Sequence, residues 1–99
     1  MIVQFATNQL ERCYEDFREG ARSWGADVAK RYQDRIDLML VTASFQQIFP
    51  IAALRLHPLR GGRAGQYSIR LTGRWRLILT PSPDGNEVLV QEVSNHYGD

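Results

Sequence analysis

The sequence predicts an α+β fold in which two helices pack on one face of a small, mainly antiparallel sheet, and three observations predict it. Apolar residues recur at helical spacing from Leu10 to Ala43, the period switches to two from Gln66, and turn residues divide the C-terminal third of the chain into a three-stranded meander. The 99 residues, 43% hydrophobic and 23% charged, suit one domain over residues 1–99 with its own core, and this composition excludes a disordered or fibrous chain.

Residues 2–6 are a short apolar run that reads as a strand. Asn8 followed by Glu11 makes a capping-box signature. It opens a helix with Leu10, Cys13, Phe17, Ala21 and Trp24 on one side, ending near Gly20 or Gly25. A second helix starts near Asp27, because Val28, Tyr32, Ile36, Met39, Leu40 and Ala43 form one stripe, and the two helices make an antiparallel hairpin. Such a stripe is core and carries no chemistry. Phe45, Ile48, Phe49, Ile51 and Leu54 belong to a connector that Pro50 interrupts. Tyr67, Ile69 and Leu71, then Trp75, Leu77 and Leu79, alternate with polar residues as half-buried strands. Pro81, Pro83, Asp84, Gly85 and Asn86 mark a turn, and residues 87–93 form the last strand.

Cys13 is the only cysteine, so an internal disulfide and a cysteine metal cluster are excluded and a reducing compartment, the cytoplasm, is expected. The longest apolar run is too short to span a bilayer, and no membrane partner is expected. Net charge is only +1, but seven of the eleven acids lie in the first 37 residues. From residue 38 to residue 83 there is none, while Arg55, Arg60, Arg63, Arg70, Arg74 and Arg76 all fall there. This asymmetry points to a polyanion partner.

The turn around Gly73 can close in two ways. A two-residue loop mixes apolar and charged residues on both faces. A three-residue Thr72-Gly73-Arg74 loop sets Leu71 opposite Trp75 and Ile69 opposite Leu77, giving one apolar face for the helices. It also sets Arg70 opposite Arg76 on the outer face. Like charges directly opposed destabilise a sheet unless both side chains spread into water or an anion lies between them, and the flanking segments offer no acid. His57 is held extended by Pro58, and the final strand returns Asn95, His96 and Tyr97 toward the level of Arg74. Metal-free cleavage of an RNA phosphodiester needs a base, an acid and positive charge on the phosphorane-like transition state, and His57, His96, Tyr97, Arg70 and Arg76 supply these types. No carboxylate pair, Cys/His cluster, Walker loop or GxGxxG loop supports a metal site or a nucleotide cofactor, so none is expected.

The segments Leu56-His57-Pro58-Leu59-Arg60-Gly61, Arg63-Ala64-Gly65-Gln66-Tyr67-Ser68-Ile69-Arg70, Gly73-Arg74-Trp75-Arg76-Leu77 and Asn95-His96-Tyr97 strongly resemble the HigB branch of the RelE/ParE toxin superfamily. The resemblance runs from about residue 8 to the end and is densest over residues 56–78. It implies a RelE/ParE-like fold and a toxin that enters the ribosomal A site and cleaves mRNA, blocking translation. Its partner would be a HigA-like helix-turn-helix antitoxin, with the toxin monomeric alone and the complex a heterotetramer. By position, the resemblance implies His57 as the catalytic histidine, Arg76 as the transition-state arginine, and His96 and Tyr97 as the C-terminal acid/base segment. Arg60, Arg63, Arg70 and Arg74 would hold the RNA backbone. HigB tails often end Asp-Tyr-His, so the order Asn95-His96-Tyr97 leaves His96 and Tyr97 as alternatives for proton transfer. Gly62 stands where relatives often carry an acid. The alternative within the superfamily is a ParE-like, non-enzymatic inhibitor of DNA gyrase, which needs no His/Tyr set; a third reading is a non-catalytic RNA-binding module.

Overall fold

The computed structural model describes residues 1–95 of the chain. β1 (Ile2–Phe5) leads into α1 (Asn8–Glu15), which is capped by Thr7: its backbone is extended and its hydroxyl accepts from the Leu10 amide at 3.1 Å. The capping-box signature puts the cap at Asn8, one residue late, because Asn8 already lies inside the helix.

The single helix expected over residues 8–24 is two helices. Asp16 takes an extended backbone and donates its N–H to the Arg12 carbonyl at 2.8 Å, ending α1. Its carboxylate accepts from the Arg18 amide at 3.0 Å and so caps α2 (Phe17–Trp24). The break shifts the phase of the apolar stripe, which leaves Phe17 exposed while Leu10 and Cys13 are buried. α3 (Ala26–Val41) packs closely on α2, because a Cβ on Gly20 would lie only 3.0 Å from the Ala29 Cβ. Val28, Tyr32, Ile36 and Met39 form the predicted buried stripe. Leu40 and Ala43 do not belong to it: Leu40 faces solvent, and Ala43 lies past the helix end.

The connector holds α4 (Phe45–Ile48) and a 3-10 turn at Ala52–Leu54. Phe45 and Phe49 pack edge-on against Tyr67, with ring centroids 5.0 and 5.8 Å away. Tyr67 opens β3 (Tyr67–Arg70), which pairs with β2 (His57–Pro58) on one side and β4 (Trp75–Pro81) on the other. With β5 (Glu87–Asn95) the five strands run in the order β1-β5-β4-β3-β2. β1 is parallel to β5 and the other pairs are antiparallel; α1 to α3 lie in the long crossover that a parallel pair requires. No helix among the described residues is long and apolar enough to cross a membrane.

The β3–β4 turn closes as the three-residue loop. Ile69 faces Leu77, Arg70 faces Arg76, and the Leu71 amide donates to the Trp75 carbonyl at 3.0 Å, with Gly73 at φ 55°. Ile69, Leu71, Leu77 and Leu79 join Val88, Val90 and the helical stripe in the core. Each such buried side chain contributes about 1.5–3 kcal/mol. β4 runs on through Pro81, a residue expected in the turn. β3 pairs with β4 only as far as Leu79, so the missing Pro81 amide breaks no ladder on that side.

β5 carries a bulge at Gln91, where Ile78 faces Glu92 but Leu79 faces Val90. Val88 and Val90 point to the core before the bulge and Val93 does so after it. The alternation therefore shifts by one residue, and Glu92 and Ser94 turn to the outer face.

Candidate functional site

Strand register arranges two rows on the outer face, away from the helices. One row is His57, Ser68, Ile78 and Glu92; the other is Arg70, Arg76 and Ser94. Pleat geometry separates the rows by about 7 Å along the strands, and His57 stands about 10 Å across the sheet from the line of Arg76.

His57 occupies the edge strand β2, in the extended conformation that Pro58 imposes. Its Nδ1 lies 3.1 Å from the Arg55 carbonyl. A carbonyl only accepts, so Nδ1 carries a hydrogen, which leaves Nε2 as the ring nitrogen that can exchange a proton. That Nε2 is buried without a hydrogen-bond partner, and so is Oγ of Ser68, directly opposite on β3. This nitrogen is thus held in place and kept from solvent.

Arg63 bridges this row. It ends the 3-10 turn Gly61–Arg63 outside β2, and its guanidinium bonds Gln66 Oε1 at 2.8 Å and the carboxylate of Glu92 on β5. The pair crosses β3 and β4. Ser68 and Ile78, on the path between its ends, are 0% exposed although they face away from the helices. Arg63, expected to hold the RNA backbone, is here paired with an acid: the acid-free stretch ends before β5, and the bulge at Gln91 delivers a carboxylate from beyond it. Both partners remain 43–44% exposed, so the bridge is worth no more than about 1 kcal/mol and opens readily.

Arg76 Nη1 donates to the Gly73 and Trp75 carbonyls at 2.8 and 3.0 Å, which steers its head toward the β3–β4 turn. Among the described residues neither Arg70 nor Arg76 forms an ion pair. The opposed arginines keep their charge available. Arg60 is exposed in the loop after β2, and Arg74 is exposed in the β3–β4 turn. The fold thus brings His57, Arg70 and Arg76 to one face, engages Arg63 elsewhere and leaves Arg60 and Arg74 at the rim. His96 and Tyr97 lie outside the described residues; Asn95, the last described, faces Trp75, one position from the Arg76–Ser94 pair. Ser68 lies on this face as the alternation along β3 predicts, and Glu92 joins it beyond the residues expected from sequence. Nothing in the sequence marks the bulge that exposes Glu92.

Among the described residues no group of three or more His, Cys, Asp or Glu is placed to hold a metal. What the face offers is an imidazole and guanidinium charge, the residue types that proton transfer next to an anion needs.

No family model matches the sequence, and no curated protein matches it. Solved structures do match. The YoeB/ParE toxin from Agrobacterium tumefaciens superposes with a TM-score of 0.64 at 24% identity, over 98% of this chain and 100% of that one. YafQ from E. coli gives a TM-score of 0.65 at 14% identity over 97% of each chain. A chain of the heterotetrameric YoeB-YefM toxin-antitoxin complex from Staphylococcus aureus gives 0.57 at 19% identity over 98% of each. With its helices laid on a mixed five-stranded sheet, this chain has the α+β fold of the YoeB and YafQ toxins.

Proposed function

We propose that this protein is the toxin of a type II toxin–antitoxin pair, and that it cleaves mRNA in the ribosomal A site without a metal cofactor. The observation that carries the reading is His57: its Nδ1–H is committed to the Arg55 carbonyl, which leaves Nε2 as the nitrogen that can take a proton, and it shares a face with the Arg70–Arg76 pair. The toxin fold of the structural neighbours supports the same reading.

In this mechanism His57 Nε2 removes the ribose 2′-hydroxyl proton. The 2′-oxygen attacks phosphorus, the bond to the 5′-oxygen breaks, and the products are a 2′,3′-cyclic phosphate and a 5′-hydroxyl. Arg76, with Arg70, holds the charge on the pentacoordinate phosphorane. His96 or Tyr97 donates the proton that the leaving oxygen takes. Arg60, Arg63 and Arg74 steady the backbone, Arg63 after releasing Glu92. The partner is a HigA-like helix-turn-helix antitoxin, and the toxin is of the HigB type, as residues 56–78 suggest.

The test maps mRNA 5′ ends in a translating extract supplied with wild type, His57→Gln, Arg76→Ala, His96→Gln and Tyr97→Phe, each checked for folding by circular dichroism. Wild type should create new ends only when ribosomes translate. His57→Gln and Arg76→Ala should each lower their yield by about 10²-fold or more, and one of the two tail variants should do the same. Growth arrest by wild type without new mRNA ends would overturn the nuclease and favour inhibition of gyrase.

A further inference from the structure

A second basic site lies where β3 ends. Arg31 and Arg35 of α3, Ala52 and Arg55 of the connector, Arg70 at the end of β3 and Thr72 after it line a surface groove of about 410 Å³. Arg31 and Arg35 stand one helical turn apart, and Arg35 Nε donates to the Arg70 carbonyl at 3.3 Å, tying α3 to β3. Among the described residues none of these four arginines forms an ion pair. Asp34, between Arg31 and Arg35 in sequence, is instead bonded to Lys30 at 2.6 Å. Burial, and after it the charge of Arg31, hold the Arg35 guanidinium below its ordinary pKa, with the charge of Asp34 opposing them in smaller measure. Arg55 itself has a left-handed backbone, φ 47°, the one positive φ among the described non-glycine residues.

We propose that this groove binds the phosphodiester backbone of RNA as a contact separate from the outer face and joined to it at Arg70. Planar guanidinium groups suit bidentate contact with phosphate oxygens. Arg70 belongs to both surfaces: its residue lines the groove, and its position opposite Arg76 lies on the outer face. A strand crossing the end of β3 meets both in succession, and this continuity favours RNA over an acidic polypeptide. The inference rests on the proposed RNA substrate, and its test separates the two.

The probe is a fluorescein-labelled, fully 2′-O-methylated RNA of about 20 nucleotides, which binds but offers no 2′-hydroxyl to attack. Affinity is measured from about 0.1 to 1 M salt for wild type and for Arg31→Ala combined with Arg55→Gly; glycine tolerates the left-handed backbone. Losing two phosphate contacts should reduce the slope of log affinity against log salt by about 1.4. Relative to the high-salt limit, this weakens binding about 25-fold at about 0.1 M. An unchanged slope in a double variant with wild-type circular dichroism would overturn the groove, as would a wild type that does not bind the probe. Binding of a polyglutamate peptide that the double variant abolishes while RNA binding persists would assign the groove to an acidic polypeptide. Cleavage of ordinary mRNA by wild type alongside an unchanged slope refutes the groove alone, whereas a reduced slope without cleavage refutes the nuclease alone.

Discussion

Glu92 and Arg63 form an ion pair across the outer face, and between its ends lie Ser68 and Ile78, in the same row as His57. The pair covers the site with the one carboxylate placed there by β5. Glu92→Gln keeps the shape and removes the charge, so Arg63 becomes available to phosphate. Affinity for the 2′-O-methyl RNA should rise about 5-fold at about 0.1 M salt, with the salt slope steeper by about 0.7. Stability should change by less than about 1 kcal/mol, because both partners are well exposed. In a His96→Gln background the same change should speed diethyl pyrocarbonate modification of His57 several-fold. An unchanged rate would mean that something other than the bridge covers Nε2.

Tyr32 makes the fold sensitive to alkali. Its hydroxyl donates to the Leu10 carbonyl at 2.7 Å inside the core, its ring meets Trp24 edge-on at 4.9 Å, and burial pushes its pKa far above the ordinary value. An acid with a raised folded pKa contributes stability that is whole below its unfolded pKa and is lost as pH rises above it. Stability should therefore fall above about pH 10, approaching about 1.4 kcal/mol per pH unit for this group. Cys13, whose thiol burial also pushes up, adds a loss of the same sign from about pH 8.5–9. Urea midpoints from pH 7 to 11 should show the decline, and Tyr32→Phe should flatten the upper part. At neutral pH Tyr32→Phe costs about 1 kcal/mol for the lost hydrogen bond.

The start of α1 separates two neighbouring residues. Thr7 Oγ1 accepts from the Leu10 amide, so Thr7→Ala should cost about 1 kcal/mol, measured by urea unfolding. Thr7→Ser should be nearly neutral. Asn8→Ala should stay within about 0.5 kcal/mol, since Asn8 is already helical and caps nothing. A larger loss from Asn8→Ala than from Thr7→Ala would restore Asn8 as the cap.

Arg70 opposite Arg76 is legible in the sequence, because period-two alternation on both sides of Gly73 leaves one register with a single apolar face. His57 as an extended residue is legible from Pro58, but its pairing with Ser68 depends on a tertiary contact that no local pattern encodes. Glu92 is not legible. Simple alternation from Val88 and Val90 puts it on the helix side, and only the extra residue Gln91 turns it outward. The break at Asp16 is hidden for a related reason: the stripe from Leu10 to Trp24 suits one helix, and a side chain competing for a backbone amide leaves no trace in hydrophobic spacing. The groove joins residues 31, 35, 55 and 70, which only the packing of α3 and the connector against the end of β3 brings together.

Arg55 sets stability against binding. Its left-handed backbone costs a non-glycine residue about 1–2 kcal/mol, and its carbonyl must nevertheless stay where His57 Nδ1 can donate to it. Arg55→Gly removes the steric penalty but frees the unfolded chain, offsetting part of the gain. The net expectation is a stability between unchanged and about 1 kcal/mol higher by urea unfolding. Arg55→Val, β-branched and unfavourable at positive φ, should instead lose about 1 kcal/mol or more and disturb the His57 contact. If the side chain serves the groove, Arg55→Gly will bind the 2′-O-methyl RNA more weakly, with the salt slope reduced by about 0.7, while unfolding no more easily than wild type. A glycine variant that is destabilised by more than about 1 kcal/mol would show that Arg55 is held by packing, and the strain would then have no connection with RNA.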